Sequence, residues 1–436
     1  MAIFISVLTG FVRAETEPPT QLTLEDAVRI AYENNLDIEL AELSVRALQS
    51  RYKEILGTGI PDITLSGSYT NNFNRPVAFF SGNKIEVGQW KAFEASAELE
   101  QIVFSGGRFI AGRRSTKASL EAGKMDLRAT KEEVELAVKK LFYSVLLASE
   151  TVAIQQDNLR STQEHLDTVT ERYKQGLDSD LIVMRQNVEV ANAKTALIQA
   201  KNFYEISLVN FLDLLYLDVD KPVSLVGSLD MKNVPVLTYE KMVQQAFESR
   251  PEILSARKRT EAALSFSNVI RGDMFPELTL FANSRWLAQS SDFTIDGNEQ
   301  ATASSGGLRL KYPIFTGGEN WQKYQQAKIG HEKAVQQEEK IKRSVRTEVK
   351  QNWLALHEAE DRAAAQEAAI QQSKRALEVT EVRYRAGQSS QLELNDATFS
   401  VNRTRLVYVL ALHDYWLSLA RLDRAVGAPI KEDGTK

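Results

Sequence analysis

Apolar residues recur along this chain at two periods, and each period predicts one kind of element. Between Arg108 and Lys174 they fall every seven residues, at Val138, Val145, Val152, Leu159, Leu166 and Tyr173. A second run repeats the pattern at Val349, Leu356, Ala363, Ile370, Leu377 and Tyr384. A strict seven over so many turns marks a coiled-coil seam, narrower than the stripe of a globular helix. With no proline inside it, the first run could extend about 100 Å at a rise of 1.5 Å per residue. Past a short break, further helical segments return from Leu181 and from Leu392.

Elsewhere the period is two. Ile63, Leu65 and Tyr69 alternate with Thr64, Ser66, Ser68 and Thr70, and Phe93, Ala95, Ala97 and Leu99 with Glu94, Ser96, Glu98 and Glu100. Leu278, Leu280, Ala282 and Trp286, then Leu308, Leu310 and Tyr312, do the same downstream. This predicts strands at about 62–72, 91–104, 277–287 and 304–315, each with an apolar and a polar face. Such alternation fits a membrane barrel strand and fits a half-buried antiparallel sheet equally well. Tyr69, Trp90, Trp286 and Tyr312 lie toward strand ends, where an interfacial aromatic girdle would sit.

The elements come twice. "LTLEDAVRIAYENN" from Leu22 answers to "LTYEKMVQQAFESR" from Leu237, and Pro61 to Pro276, all at a separation of 215 residues. "FSGGR" at 104–108 answers to "FTGGE" at 315–319 at a separation of 211, which "RYKQG" (172–176) and "RYRAG" (383–387) keep. The chain therefore divides into a first repeat over 15–218, a connecting segment over 219–236, a second repeat over 237–427 and a tail over 428–436. Each repeat holds a helix, two strands and a hairpin of long helices, with tips at 172–180 and 383–390. Four strands cannot enclose a lumen. If they are membrane strands, several copies must combine.

Composition narrows the chemistry. With 53 basic and 58 acidic residues the formal net charge is −5, which argues against a general nucleic-acid binder. The absence of cysteine excludes disulfides, thiolate catalysis and thiolate metal sites. His165, His331, His357 and His413 have no ligand-spaced partners, and the glycine-pair motifs lack the lysine and hydroxyl of a phosphate loop. No enzyme, metal or cofactor is expected. An apolar run from Ala2 to Val12 followed by Ala14 reads as a signal peptide over 1–14, atypical because no basic residue precedes it. No stretch approaches the roughly 18 apolar residues of a membrane helix.

At the tips, Gly176 and Gly387 stand where a helix that must reverse needs a positive φ. Arg172, Lys174, Arg383 and Arg385 fall in the last turns, where cations meet the negative end of the helix dipole. Glu393 follows Ser390 at the spacing of a capping box, and Asp396 shares its helical face.

In this order, and twice over, the motifs resemble the TolC-like outer-membrane efflux proteins from about Leu22 to Gly427. The carriers are the duplicated opening helix, its following proline, "VFSGGR" and "YPIFTGGE", the two "RY" tips and the closing "LARLDRAVG". The resemblance implies an α+β membrane protein: a homotrimer with a twelve-stranded transmembrane β-barrel, four strands per chain, continuous with an α-helical coiled-coil tunnel across the periplasm. It implies the exit duct of a tripartite efflux pump or type I secretion system, set in outer-membrane lipid. Its partners would be a periplasmic adaptor and, through that, an inner-membrane transporter. The tip residues Arg172, Gly176, Arg383 and Gly387 would meet the adaptor, Glu393 and Asp396 would form an acidic ring at the entrance, and Tyr384 and Tyr173 would belong to its gate. Two readings stay open: Glu393 and Asp396 as a plain helix start, and the whole chain as a soluble periplasmic coiled-coil structural or adaptor protein. The family's gate also has an arginine two residues after the second glycine, where this chain has Ser389, so its lock is expected to differ.

Overall fold

The structure, a computed structural model, describes residues 20–231, 237–296 and 299–428. The signal-peptide segment, residues 232–236 of the connecting segment and the tail from 429 lie outside the described residues. In chain order the elements are β1 (Thr20–Leu22), α1 (Leu24–Asn34), α2 (Leu36–Gly57), β2 (Asp62–Asn71), β3 (Val77–Phe80), β4 (Asn83–Glu86), β5 (Lys91–Ser105) and α3 (Arg108–Lys174). There follow α4 (Asp180–Leu214), β6 (Val223–Leu225), α5 (Tyr239–Ser249), α6 (Pro251–Gly272), β7 (Glu277–Ser290), β8 (Gln300–Lys311), α7 (Glu319–Arg385) and α8 (Gln391–Val426). They form two compact units, one of Met1–Glu39, Ala129–Arg250 and Val345–Lys436, the other of Leu40–Arg128 and Pro251–Ser344.

Each repeat opens with two helices where the sequence reads as one. The buried Asn35 makes the first break: its side-chain oxygen accepts from the backbone N–H of Asp37 at 3.0 Å and of Ile38 at 3.3 Å, which starts α2. In the second repeat Pro251 starts α6, its missing N–H costing nothing at a first helical position.

The second unit carries a four-stranded sheet in the order β2-β5-β7-β8, antiparallel throughout. Its faces segregate as the alternation requires. Ile63, Leu65, Leu308 and Leu310 line one face, 67, 78, 64 and 69 % exposed. The other carries ion pairs between strands, Arg285 on β7 to Glu94 on the neighbouring β5 at 2.6 Å and Arg309 on β8 across β7 to Glu100 on β5 at 3.0 Å. β5 continues to Ser105 through a bulge at Ile102/Phe104, whereas β8 starts at Gln300 and stops at Lys311, short of the expected 315. Pro313, which has no counterpart in β5, cannot donate to a ladder, and among the described residues β8 has no second neighbour. Within the loop after β2 a short hairpin, β3 with β4, appears where the sequence suggested no element.

The first unit holds the long helices' distal parts. Its core gathers Phe142, Phe211, Leu212, Leu215 and Leu422, with Phe142 edge-on to Phe211 at 6.0 Å. β1 pairs in parallel with β6, tying the connecting segment to the start of the first repeat. On α7 the seven-residue seam is buried at Val349, Leu356, Ala363, Ile370 and Tyr384. On α3 it is buried only at Val138 and Val145; toward the tip the closed positions become Ile154, Thr162 and Val169, while Tyr173 stands 47 % exposed. The repeat has slipped frame, as a coiled coil does when it changes the face it presents. Among the described residues no helix is long and apolar enough to cross a membrane.

Candidate functional site

The two tips close by one device. At the first, the N–H of Leu177 donates to the carbonyl of Arg172 at 2.9 Å and that of Gly176 to Tyr173 at 2.9 Å. At the second, Gln388 donates to Arg383 at 2.8 Å and Gly387 to Tyr384 at 3.0 Å. Both are Schellman ends, and both glycines take φ of 75°, a left-handed conformation that costs a side chain about 1–2 kcal/mol.

From there the tips diverge. In the first, Arg172 reaches across the turn to Asp178, Nε to Oδ2 at 2.8 Å, and its guanidinium lies 5.3 Å over the ring of Tyr384. The pair raises the Arg172 pKa above its ordinary value through the Asp178 hydrogen bond. Tyr384 itself is 6 % exposed and packs with Val169 and Leu394, with Ile182, Val183 and Leu377 around them. Its hydroxyl is buried without a partner in hydrogen-bonding geometry. Burial first, then the negative charge of Asp178, pushes its pKa up. Asp178 was not singled out from the sequence; the signal was an acid two residues after the glycine and an arginine four before it.

In the second tip the position of Asp178 is taken by Ser389, and Arg383 is exposed. Here the acid serves the next helix. Ser390 Oγ accepts from the N–H of Glu393 at 3.3 Å and the Glu393 carboxylate accepts from the N–H of Ser390 at 2.9 Å, with Ser389 Oγ also donating to it. These hydrogen bonds, that of Ser389 foremost, lower the Glu393 pKa. Asp396 is exposed one turn further on. At the first tip Ser179 occupies the same capping place, but its side chain makes no capping hydrogen bond.

Behind the tips lies a cavity of about 610 Å³ among α3, α4 and α8, lined by amides such as Gln186, Asn192 and Asn395. Gln186 is almost wholly buried, donates to the Thr162 carbonyl at 3.0 Å and accepts from Gln391 at 2.9 Å. No group of three or more His, Cys, Asp or Glu that could hold a metal occurs among the described residues.

The chain is mostly helical, with duplicated long hairpins and a small sheet apolar on one face and ionic on the other. The pattern of the outer membrane efflux protein family matches residues 27–215 and 242–428, and the chain belongs to that family. It is 24 % identical to the outer membrane protein TolC of Vibrio cholerae, over 74 % of this chain and 75 % of that one. It is 23 % identical to the pyoverdine export outer membrane protein OpmQ of Pseudomonas putida, over 87 % of this chain and 80 % of that one. Among solved structures it superposes on a membrane protein from Pseudomonas aeruginosa with a TM-score of 0.79, covering 93 % of each chain at 19 % identity.

Proposed function

We propose that this protein is the outer-membrane exit duct of an export machine, in which three copies join their sheets into one twelve-stranded barrel and their helices into a periplasmic tunnel. The observation that carries this is the sheet: among the described residues it has four strands and two unpaired edges, with an apolar face exposed at Leu65 and Leu310 and an ionic face opposite. A soluble sheet would cover that apolar face; lipid covers it in a barrel, and closure removes the edges. A periplasmic adaptor would dock at the tips around Arg172, Gly176, Arg383 and Gly387 and link the duct to an inner-membrane transporter. The segment 219–236, tied by β6 to β1, would contribute to a collar around the tunnel.

In a threefold entrance, Glu393 and Asp396 become rings of acids that raise the local cation concentration. Arg172, Asp178 and Tyr384 form the contact that holds the second tip against the first, and its release is the opening step. The chain has no chemistry of its own to perform.

The test is fractionation. The protein should partition with outer membranes and run as a heat-resistant trimer in detergent; release in soluble form by osmotic shock would overturn the duct. In planar bilayers, Glu393→Gln with Asp396→Asn should reduce cation preference. Unchanged selectivity would leave Glu393 as a helix cap alone.

A further inference from the structure

Where the four-stranded sheet gives way to helices, the start of α3 and the end of α6 flank a cleft of about 310 Å³ lined by two arginines, Arg114 and Arg271. We propose that this cleft binds the phosphate of a membrane phospholipid, with Arg114 and Arg271 on the headgroup and Ile110 and Phe275 against the first part of its acyl chains. This rests on the duct reading and adds to it a lipid site of defined chemistry.

The corner is packed closely enough to shape the cleft. A Cβ on Gly106 would stand 2.5 Å from the carbonyl oxygen of Gly272, so only glycine lets α3 begin against the end of α6. Three sides of α3 then have separate tasks. Arg113 Nε donates to the Tyr52 hydroxyl of α2 at 3.4 Å, and Ser115 Oγ to the Ala262 carbonyl of α6 at 2.9 Å. Arg108 pairs with Glu277, which lies on the same face of β7 as Arg285, the ionic one. Ile110 and Arg114, four residues apart, share the remaining side, which continues the apolar face of the sheet. Phe104 of that face pairs with Leu278, and Phe104, Ile110 and Phe275 are all exposed. The apolar surface thus runs from the strands onto the cleft.

The charge at the cleft is unmatched. No acidic residue lines it, and among the described residues neither the Arg114 nor the Arg271 side chain makes a hydrogen bond or an ion pair. The Arg271 guanidinium lies 6.0 Å over the ring of Phe275. A phosphate accepts from two guanidinium forks at once, which suits it to this pair. The level agrees as well. Arg114 lies about 9 Å along α3 from its first residue, and arginine stems extend along apolar surface toward a headgroup layer about 5–8 Å deep. In the duplication Ile110 corresponds to Trp321, also exposed and of the residue type that favours this interface. Arg114 and Arg271 correspond to Gln325 and Leu56, so the paired charge is particular to the corner of α3 and α6.

The test uses the full chain purified as its oligomer from outer membranes, stripped of lipid in detergent and titrated while native mass spectrometry counts bound lipid. Phosphatidylglycerol should bind saturably, and diacylglycerol, with the same chains and no phosphate, about ten-fold more weakly, the loss expected for charge-assisted hydrogen bonds. Arg114→Gln/Arg271→Gln should weaken phosphatidylglycerol by a similar factor and leave diacylglycerol unchanged, and Arg114→Lys/Arg271→Lys should recover part of the loss. Inorganic phosphate at the lipid's concentration should displace none of it. Equal binding of the two lipids, or a glutamine variant that binds phosphatidylglycerol as the wild type does, overturns the phosphate site while the oligomer and the duct reading stand. Displacement by inorganic phosphate overturns the lipid and leaves a free-anion site. Should the glutamine variant fail to assemble, the two lipids compared on the wild type decide. A soluble chain with no oligomer in the outer membrane removes the site and the duct together.

Discussion

The two tips share a backbone and differ in what their side chains do, and the difference assigns them separate tasks. Both reverse through a Schellman end at glycine with the same φ. The first puts its acid, Asp178, back onto Arg172 of the helix it has just left, and so presents a guanidinium to the face of Tyr384. The second puts its acid, Glu393, forward onto the N-terminus of the helix it begins. One tip is built to hold its neighbour and the other to hold itself. Duplication supplied the turn; divergence at the positions of Asp178 and Ser389 supplied the asymmetry.

The sharpest way to break the comparison is to truncate the two equivalent tyrosines. Tyr384 is buried against Val169 and Leu394, and Tyr384→Ala should cost about 3 kcal/mol of local stability, the range for losing a buried aromatic ring. Tyr173→Ala, at an exposed site, should stay within about 0.5 kcal/mol. Amide hydrogen exchange over the last turns of α3 and α7 measures both. Matching losses would mean that Tyr173 too is packed in the assembled protein, and the tips would then be alike.

Next in size is the cap. Ser390→Ala removes an observed hydrogen bond and should cost about 1 kcal/mol at the start of α8. Ser179→Ala removes none and should be nearly silent at the start of α4. Exchange protection of the first-turn amides distinguishes them. An equal loss at both would show that the first tip gains a cap on assembly.

These contrasts also mark how far the residues could be read in advance. Period seven and period two, together with the repeated glycines and prolines, placed the long helices and the four strands because each signal is local and strong. The frame slip on α3 was not legible. Whether Leu159 or Thr162 faces inward depends on which helix lies alongside, and here a buried Gln186 holds the Thr162 carbonyl. The contact of Arg172 and Asp178 with Tyr384 was hidden for a similar reason, since it joins residues more than two hundred positions apart. Asn35 and the β3–β4 hairpin were missed because an asparagine inside an amphipathic stretch and a few residues in a polar loop give weak local signals. The capping box, written within four consecutive residues, could be read directly.

The smallest effect concerns pH, and it falls on the first hairpin. His165 on α3 lies beside the amide-lined cavity, with its Nε2 buried and unpartnered. Burial lowers its pKa; Glu381 and Glu164 oppose that, and Arg385 adds to it. A base whose folded pKa is depressed resists the proton that the unfolded chain accepts near its ordinary value of about 6.5. Stability of this region is therefore complete above that pH and declines as pH falls below it, down to the folded pKa. His165→Gln keeps a polar side chain and removes the titration, so hydrogen-exchange stability of the distal part of α3 should lose its slope between about pH 7 and 5. The capping box of the second tip changes at lower pH, because the Glu393 pKa is depressed and its contribution fades only as that carboxylate protonates. On acidification the first tip should thus loosen before the second. If the His165→Gln protein keeps the wild-type slope, the early loosening belongs to another group, and the order of the two tips under acid no longer follows from their chemistry.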